Sequence, residues 1–165
     1  MIKSKSIWIL ISSFIMVFFI SVAVIFNNID AREDFTNSVK IDGDGYAETT
    51  CEIRSLQLHP SESKDYSIEV APEFGGEYEI TINFNEITNG GLKEFVNVSV
   101  SIGDKIYTYL LKNLLDEKNT IKILQNFSKE KPLELIISYA MPYEVGNEAQ
   151  GVFADFDVKI IFNKA

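Results

Sequence analysis

The sequence predicts an all-β fold: an antiparallel two-sheet sandwich, Ig-like or jelly-roll, preceded by one N-terminal hydrophobic helix. Three observations predict it. Apolar and polar residues alternate in several short runs, as in Tyr78-Glu-Ile-Thr-Ile-Asn-Phe84, the period of a strand with one buried and one wet face. Clusters of Gly, Pro, Asn, Asp and Ser separate these runs at intervals of roughly ten to fifteen residues, the punctuation of a sandwich. No long stretch keeps the period of an amphipathic helix, whereas Ile7–Phe26 is apolar on every side.

That apolar run comes first. As a helix rising about 1.5 Å per residue it reaches across a bilayer core of about 30 Å. Lys3 and Lys5 precede it, and Asp30, Glu33 and Asp34 follow with a single Arg32. This asymmetry holds the N-terminus in the cytoplasm and exports the rest. Residues 1–31 read as a signal peptide or a signal anchor. Ser21-Val22-Ala23 offers a small-x-small cleavage site, while a run longer than the usual 7–15 residues or so favours retention. Residues 32–165 then form one domain.

In that domain Val96, Val98, Val100 and Ile102 make one inward row, and Leu133, Leu135, Ile137 and Tyr139 another. Ile121-Lys-Ile123 starts a shorter strand. The last strand is the clearest, with Val152, Ala154, Phe156, Val158, Ile160 and Phe162 on one face and Asp155, Asp157 and Lys159 on the other. Turns are expected at Asp42–Gly45, His59–Ser63, Phe74–Gly76, Asn89–Gly91 and Gly103-Asp104. Leu110, Leu111, Leu114 and Leu115 are spaced for one short turn of helix.

The stretch Met141-Pro-Tyr-Glu-Val-Gly-Asn-Glu-Ala-Gln-Gly151 is longer than a hairpin needs and predicts a crossing between the sheets. Pro142 cannot donate to a ladder and ends the preceding strand. Gly146 and Asn147 suit positive φ, Glu148 and Gln150 suit hydrogen bonds to the crossing backbone, and Gly151 leads into the final strand.

Catalytic chemistry finds little to use. The only histidine, His59, sits before Pro60 in a polar turn, without an HExxH motif or a Gly-x-Ser-x-Gly elbow. Asp42-Gly-Asp-Gly45 begins like a calcium loop, but Tyr46 and Ile53 stand where an EF-hand needs oxygen ligands. Asp155 and Asp157 share a face, yet with Lys159 beside them they read as a solvated outer row. Glu144 completes the carboxylates that a glycosidase reading would need. No catalytic, cofactor or metal site is expected. Cys51 is the only cysteine, which excludes an internal disulfide. With 24 acidic and 15 basic residues the chain carries a net charge of −9, which repels nucleic acid.

The Pro142-x-x-x-Gly146-Asn147-Glu148-x-Gln150-Gly151 turn and the strand through Asp155-Phe-Asp-Val158 resemble the C-terminal end of the TasA/camelysin-like proteins. Leu58-His-Pro-Ser-Glu-Ser63 is similar to a turn common in such sandwiches, with Ser61 in place of glycine. The resemblance implies an exported Gram-positive β-sandwich of the biofilm matrix or cell surface, with a structural role. Its partners would be further copies of itself or another surface protein, with Arg32–Asp42 as a donor strand, and the membrane through residues 7–26 if they are retained. The alternative is a membrane-tethered binding module for a protein or glycan, using tyrosines such as Tyr66, Tyr107 and Tyr143.

Overall fold

A computed structural model describes residues 37–117 and 119–165. The hydrophobic helix expected at 7–26 and the signal segment 1–31 lie outside them. Among the described residues nine strands stack in two sheets. The first sheet has the order β1 (Asn37–Ile41), β3 (Ser63–Pro72), β8 (Leu133–Ala140), β5 (Asn97–Ile102), β6 (Lys105–Leu110). The second has the order β2 (Tyr46–Leu56), β9 (Ala154–Lys164), β4 (Gly76–Asn89), β7 (Ile121–Phe127). Pairing is antiparallel throughout, except that β1 lies parallel to β3. The sandwich expectation holds. The parallel pair was not foreseen, because β1 and β3 are joined through a strand of the other sheet.

The path of the chain explains its loops. Every connection between the described strands changes sheet, except the β5–β6 hairpin, whose Ile102–Lys105 pairing leaves a two-residue turn. Gly103 takes φ 59° there, a conformation open to glycine at little cost. Between β6 and β7 the chain crosses through α1 (Leu111–Asp116), which buries Leu111, Leu114 and Leu115; Leu110 stays outside it as the last residue of β6. Between β4 and β5 a single 3-10 turn, Leu92–Glu94, makes the crossing.

The core is the sum of the inward rows. Phe156, Val158, Ile160 and Phe162 of β9 and Ile80 and Ile82 of β4 face Val98, Val100, Leu135 and Ile137 of the first sheet, all essentially without solvent exposure. Tyr139 of β8 meets Phe156 of β9 across the sandwich, ring centroids 5.4 Å apart, and Tyr66 edge-on at 5.5 Å. Burial pushes the Tyr139 phenol well above its ordinary pKa. Tyr78 donates its hydroxyl to the Phe74 carbonyl at 2.9 Å, so this buried ring keeps a polar partner.

Lys93 is the one buried charged residue among those described, 8% exposed. It pairs with Glu86 at 3.0 Å and, more closely, with Asp116 at the end of α1. These three groups fasten the β4–β5 crossing to the β6–β7 crossing. The hydrogen bond to Asp116 raises the Lys93 pKa.

Candidate contact surface on the first sheet

The 141–151 stretch is a crossing, as expected, since β8 and β9 belong to different sheets. Its details differ from the expectation. Gly146 has φ −82°, and Asn147 is helical in a 3-10 turn, Asn147–Ala149; positive φ falls on Gly151 alone, at 73°. Gln150 does not reach across to distant backbone. Its Nε2 donates to Asn147 Oδ1 at 3.0 Å, a bond within the turn. Glu148 is exposed. What holds the crossing is apolar: Met141 and Ala149 are buried, and Val145 and Val152 pack against the core. Pro142 lies two residues past the end of β8, and Met141 between them exchanges backbone hydrogen bonds with the 61–62 turn.

The paired carboxylates are also structural. β2 carries a bulge between Ile53 and Leu56, with Ser55 at φ 50°. A bulge leaves an N–H unpaired, and Asp155 Oδ1 accepts this one at 2.6 Å. Arg54 Nη2 reaches Asp157 Oδ1 as an ion pair of 2.8 Å, and its Nη1 donates to the Phe156 carbonyl. Lys159 pairs with Glu48 at 2.8 Å. The row lies on an interior strand of its sheet, not on a strand edge, so each charge has a neighbour strand to pair with. His59 lies in an exposed turn whose backbone N–H donates to Glu62. Among the described residues no three His, Cys, Asp or Glu side chains gather to hold a metal ion.

Of the tyrosines expected to serve binding, Tyr66 and Tyr107 pack against the core and only Tyr143 is open, at 80% exposure. The Arg32–Asp42 segment supplies β1, which completes its own sheet with Val39 and Ile41 buried; residues 32–36 lie outside the described residues.

The sequence reading missed a different surface. On β6 the inner positions are Tyr107 and Tyr109, opposite Val100 and Val98. The outer positions are Ile106, Thr108 and Leu110, with Ile106 72% and Leu110 47% exposed. They continue an uncharged block through Asn97, Ser99 and Ser101 of β5 and Ile136 and Ser138 of β8. Ser99 and Thr108 share a hydroxyl contact of 3.1 Å. The Gly103-Asp104 turn was the signal, since a two-residue hairpin sets the register and therefore the outward row.

The edges of the two sheets differ. β2 presents Glu48, Glu52, Arg54 and its bulge. β7 has Lys122, and Lys105 Nζ covers the Leu124 carbonyl at 2.6 Å. β1 is five residues long and carries Lys40. Charges, bulges and short length all discourage strand addition. β6, six residues long, has neither charge nor bulge along Ile106–Leu110.

No family model and no curated protein sequence matches the chain. Among solved structures it is similar to a ruminal GH26 endo-β-1,4-mannanase, at 16% identity and a TM-score of 0.32, over 64% of this chain and only 18% of that one. It is also similar to PliG, a periplasmic inhibitor of g-type lysozyme. An Escherichia coli PliG mutant gives 12% identity and a TM-score of 0.30, over 78% of this chain and 99% of that one. The Salmonella Typhimurium protein gives 9% and 0.30, over 77% and 98%. Likeness at this level assigns no activity.

Proposed function

We propose that this chain is an exported, non-catalytic β-sandwich that acts by protein contact at the cell surface or in the extracellular matrix, through the open edge of its first sheet. The observation that carries the reading is β6: a solvent-facing edge strand whose outward row, Ile106, Thr108 and Leu110, has no charge in a chain of net charge −9. An unguarded edge offers backbone N–H and C=O groups to an added strand, and apolar side chains beside it favour the addition. The charge asymmetry around Ile7–Phe26 supports export, and the resemblance of the 142–158 region to TasA/camelysin-like proteins supports a surface role.

The test uses cells producing the full chain, the Ile106→Lys/Leu110→Lys double variant, or Thr50→Lys on the guarded β2 edge. Protease added to intact cells should remove all three proteins. Retention in the cell-surface or matrix fraction should fall at least fivefold for the double variant and stay unchanged for Thr50→Lys. Protection from the protease, or equal retention of the variants, would overturn the reading.

A further inference from the structure

We propose that two copies of this chain join edge to edge through β6, antiparallel, with Thr108 of each on the two-fold axis, so that two five-stranded sheets continue as one. This names the partner of the edge described above and rests on that reading.

The phase of the ladder comes first. Leu111 N–H donates to the Val96 carbonyl at 2.9 Å, next to the Asn97–Leu110 pair. In an antiparallel ladder the residues that bond the neighbouring strand alternate with those that do not. Tyr107 and Tyr109 therefore bond inward to β5, and Ile106, Thr108 and Leu110 turn their backbone N–H and C=O groups off the sheet. The same three residues form the uncharged outward row, so backbone and side chains present one edge.

The strand is also complementary to itself. With Thr108 opposite Thr108 of the partner subunit, Ile106 meets Leu110 of the partner subunit and Leu110 meets Ile106 of the partner subunit. On the inner side Tyr107 stands opposite Tyr109 of the partner subunit, a cross-strand aromatic pair at the rim of both cores. A two-fold interface requires this reciprocity. Other antiparallel registers keep the reciprocity but lose the apolar match. Centring the pair on Tyr107 sets Asp104 against Leu110 of the partner subunit, and centring it on Tyr109 leaves Ile106 beyond the end of the partner strand, where α1 begins. Only the Thr108 register pairs all of Ile106–Leu110 and keeps Asp104 off the apolar row.

Charge selects the occupant further. Two copies of an acidic chain repel through most surfaces, and this edge is where they meet without opposed carboxylates. Lys105 at its start is turned to the Leu124 carbonyl. A six-residue strand is about 20 Å long, too short for the roughly 800 Å² per partner of a standard stable interface. The dimer is therefore concentration-dependent and favoured by crowding on a membrane or in a matrix.

Cysteine pairing in the full chain, in membranes of the producing cells, tests the register. Facing residues of a hydrogen-bonded pair have Cα atoms about 5.5 Å apart, within reach of a disulfide. Under mild oxidation by copper phenanthroline, Thr108→Cys should give a covalent dimer at least tenfold above the wild-type chain, whose only thiol is Cys51. Ile106→Cys and Leu110→Cys should each give little alone and form a mixed dimer when produced together. Thr50→Cys on β2 should match wild type. No Thr108→Cys dimer above wild type, or an equal yield from Thr50→Cys, overturns the pairing. If the pairing fails while Ile106→Lys/Leu110→Lys still lowers surface retention, the contact edge survives with a different partner. If Thr108→Cys pairs and retention does not change, the dimer stands and the functional reading falls.

Discussion

The two outer faces of the sandwich are built on the same alternation and end in opposite chemistry. The second sheet's face is a lattice of charge, cross-strand for Glu48 with Lys159, Arg54 with Asp157 and Glu79 with Lys122, and along β2 for Arg54 with Glu52. The first sheet's face from β5 to β6, with Ile136 and Ser138 of β8 beside it, holds hydroxyls, an asparagine and aliphatic side chains. A charged face keeps its strands in register and resists other strands, whereas an uncharged face ending at an open edge does neither. The difference teaches where this molecule tolerates company.

Several substitutions sharpen that comparison, starting from the interior both faces share. Phe156→Ala, one position from Asp157 but pointing inward, should destabilise by about 3–5 kcal/mol in urea unfolding, since it removes a ring with no solvent exposure that touches Tyr139 and Phe84. Asp155→Ala should cost about 0.5–1.5 kcal/mol, because the exposed Ser55 N–H of the bulge exchanges its carboxylate acceptor for water. Asp155→Asn keeps an oxygen there and should recover most of the loss; equal losses would mean that the charge, not the hydrogen bond, matters. Arg54→Ala should cost only about 0.5–1 kcal/mol, the scale of an exposed pair. On the other face Thr108→Val should change stability by less than about 0.5 kcal/mol, as that row contributes little to folding.

The smallest effect is one of pH. Hydrogen bonds from Lys159 and then Tyr46 hold the Glu48 carboxylate below its usual pKa. Such a group adds stability that is present above its unfolded value, near 4.5, and is lost as pH falls through the lower folded value. The stabilities of wild type and Glu48→Gln, from urea unfolding at a series of pH values, should therefore converge below that range and differ slightly above it. A separation that grows as pH falls would contradict the pairing.

The 141–151 crossing shows the limits of reading residues one at a time. Pro142 ending β8 was legible, because a missing N–H acts wherever the proline sits. The positive φ went to Gly151 rather than Gly146, because the direction of the chain is set by how Met141 and Ala149 reach the core, and the local sequence does not contain that core. Asp155 was legible as outward-facing but not as the acceptor for a bulge, since Ser55 lies a hundred residues away in the chain.

The sequence by itself determined the strands β4, β5, β7, β8 and β9, their buried faces and the positions of the turns between them. Strand period and glycine or proline conformations are local properties, and the inward rows of β4, β5, β8 and β9 followed from them. Tertiary structure decided the order of strands within each sheet, the parallel seat of β1, the interior place of β9 and the exposed place of β6. Those depend on which apolar rows meet across long loops, a choice made by packing between segments far apart in the chain. An edge exists only once neighbours have been assigned, so the surface that β6 presents is a property of the whole fold.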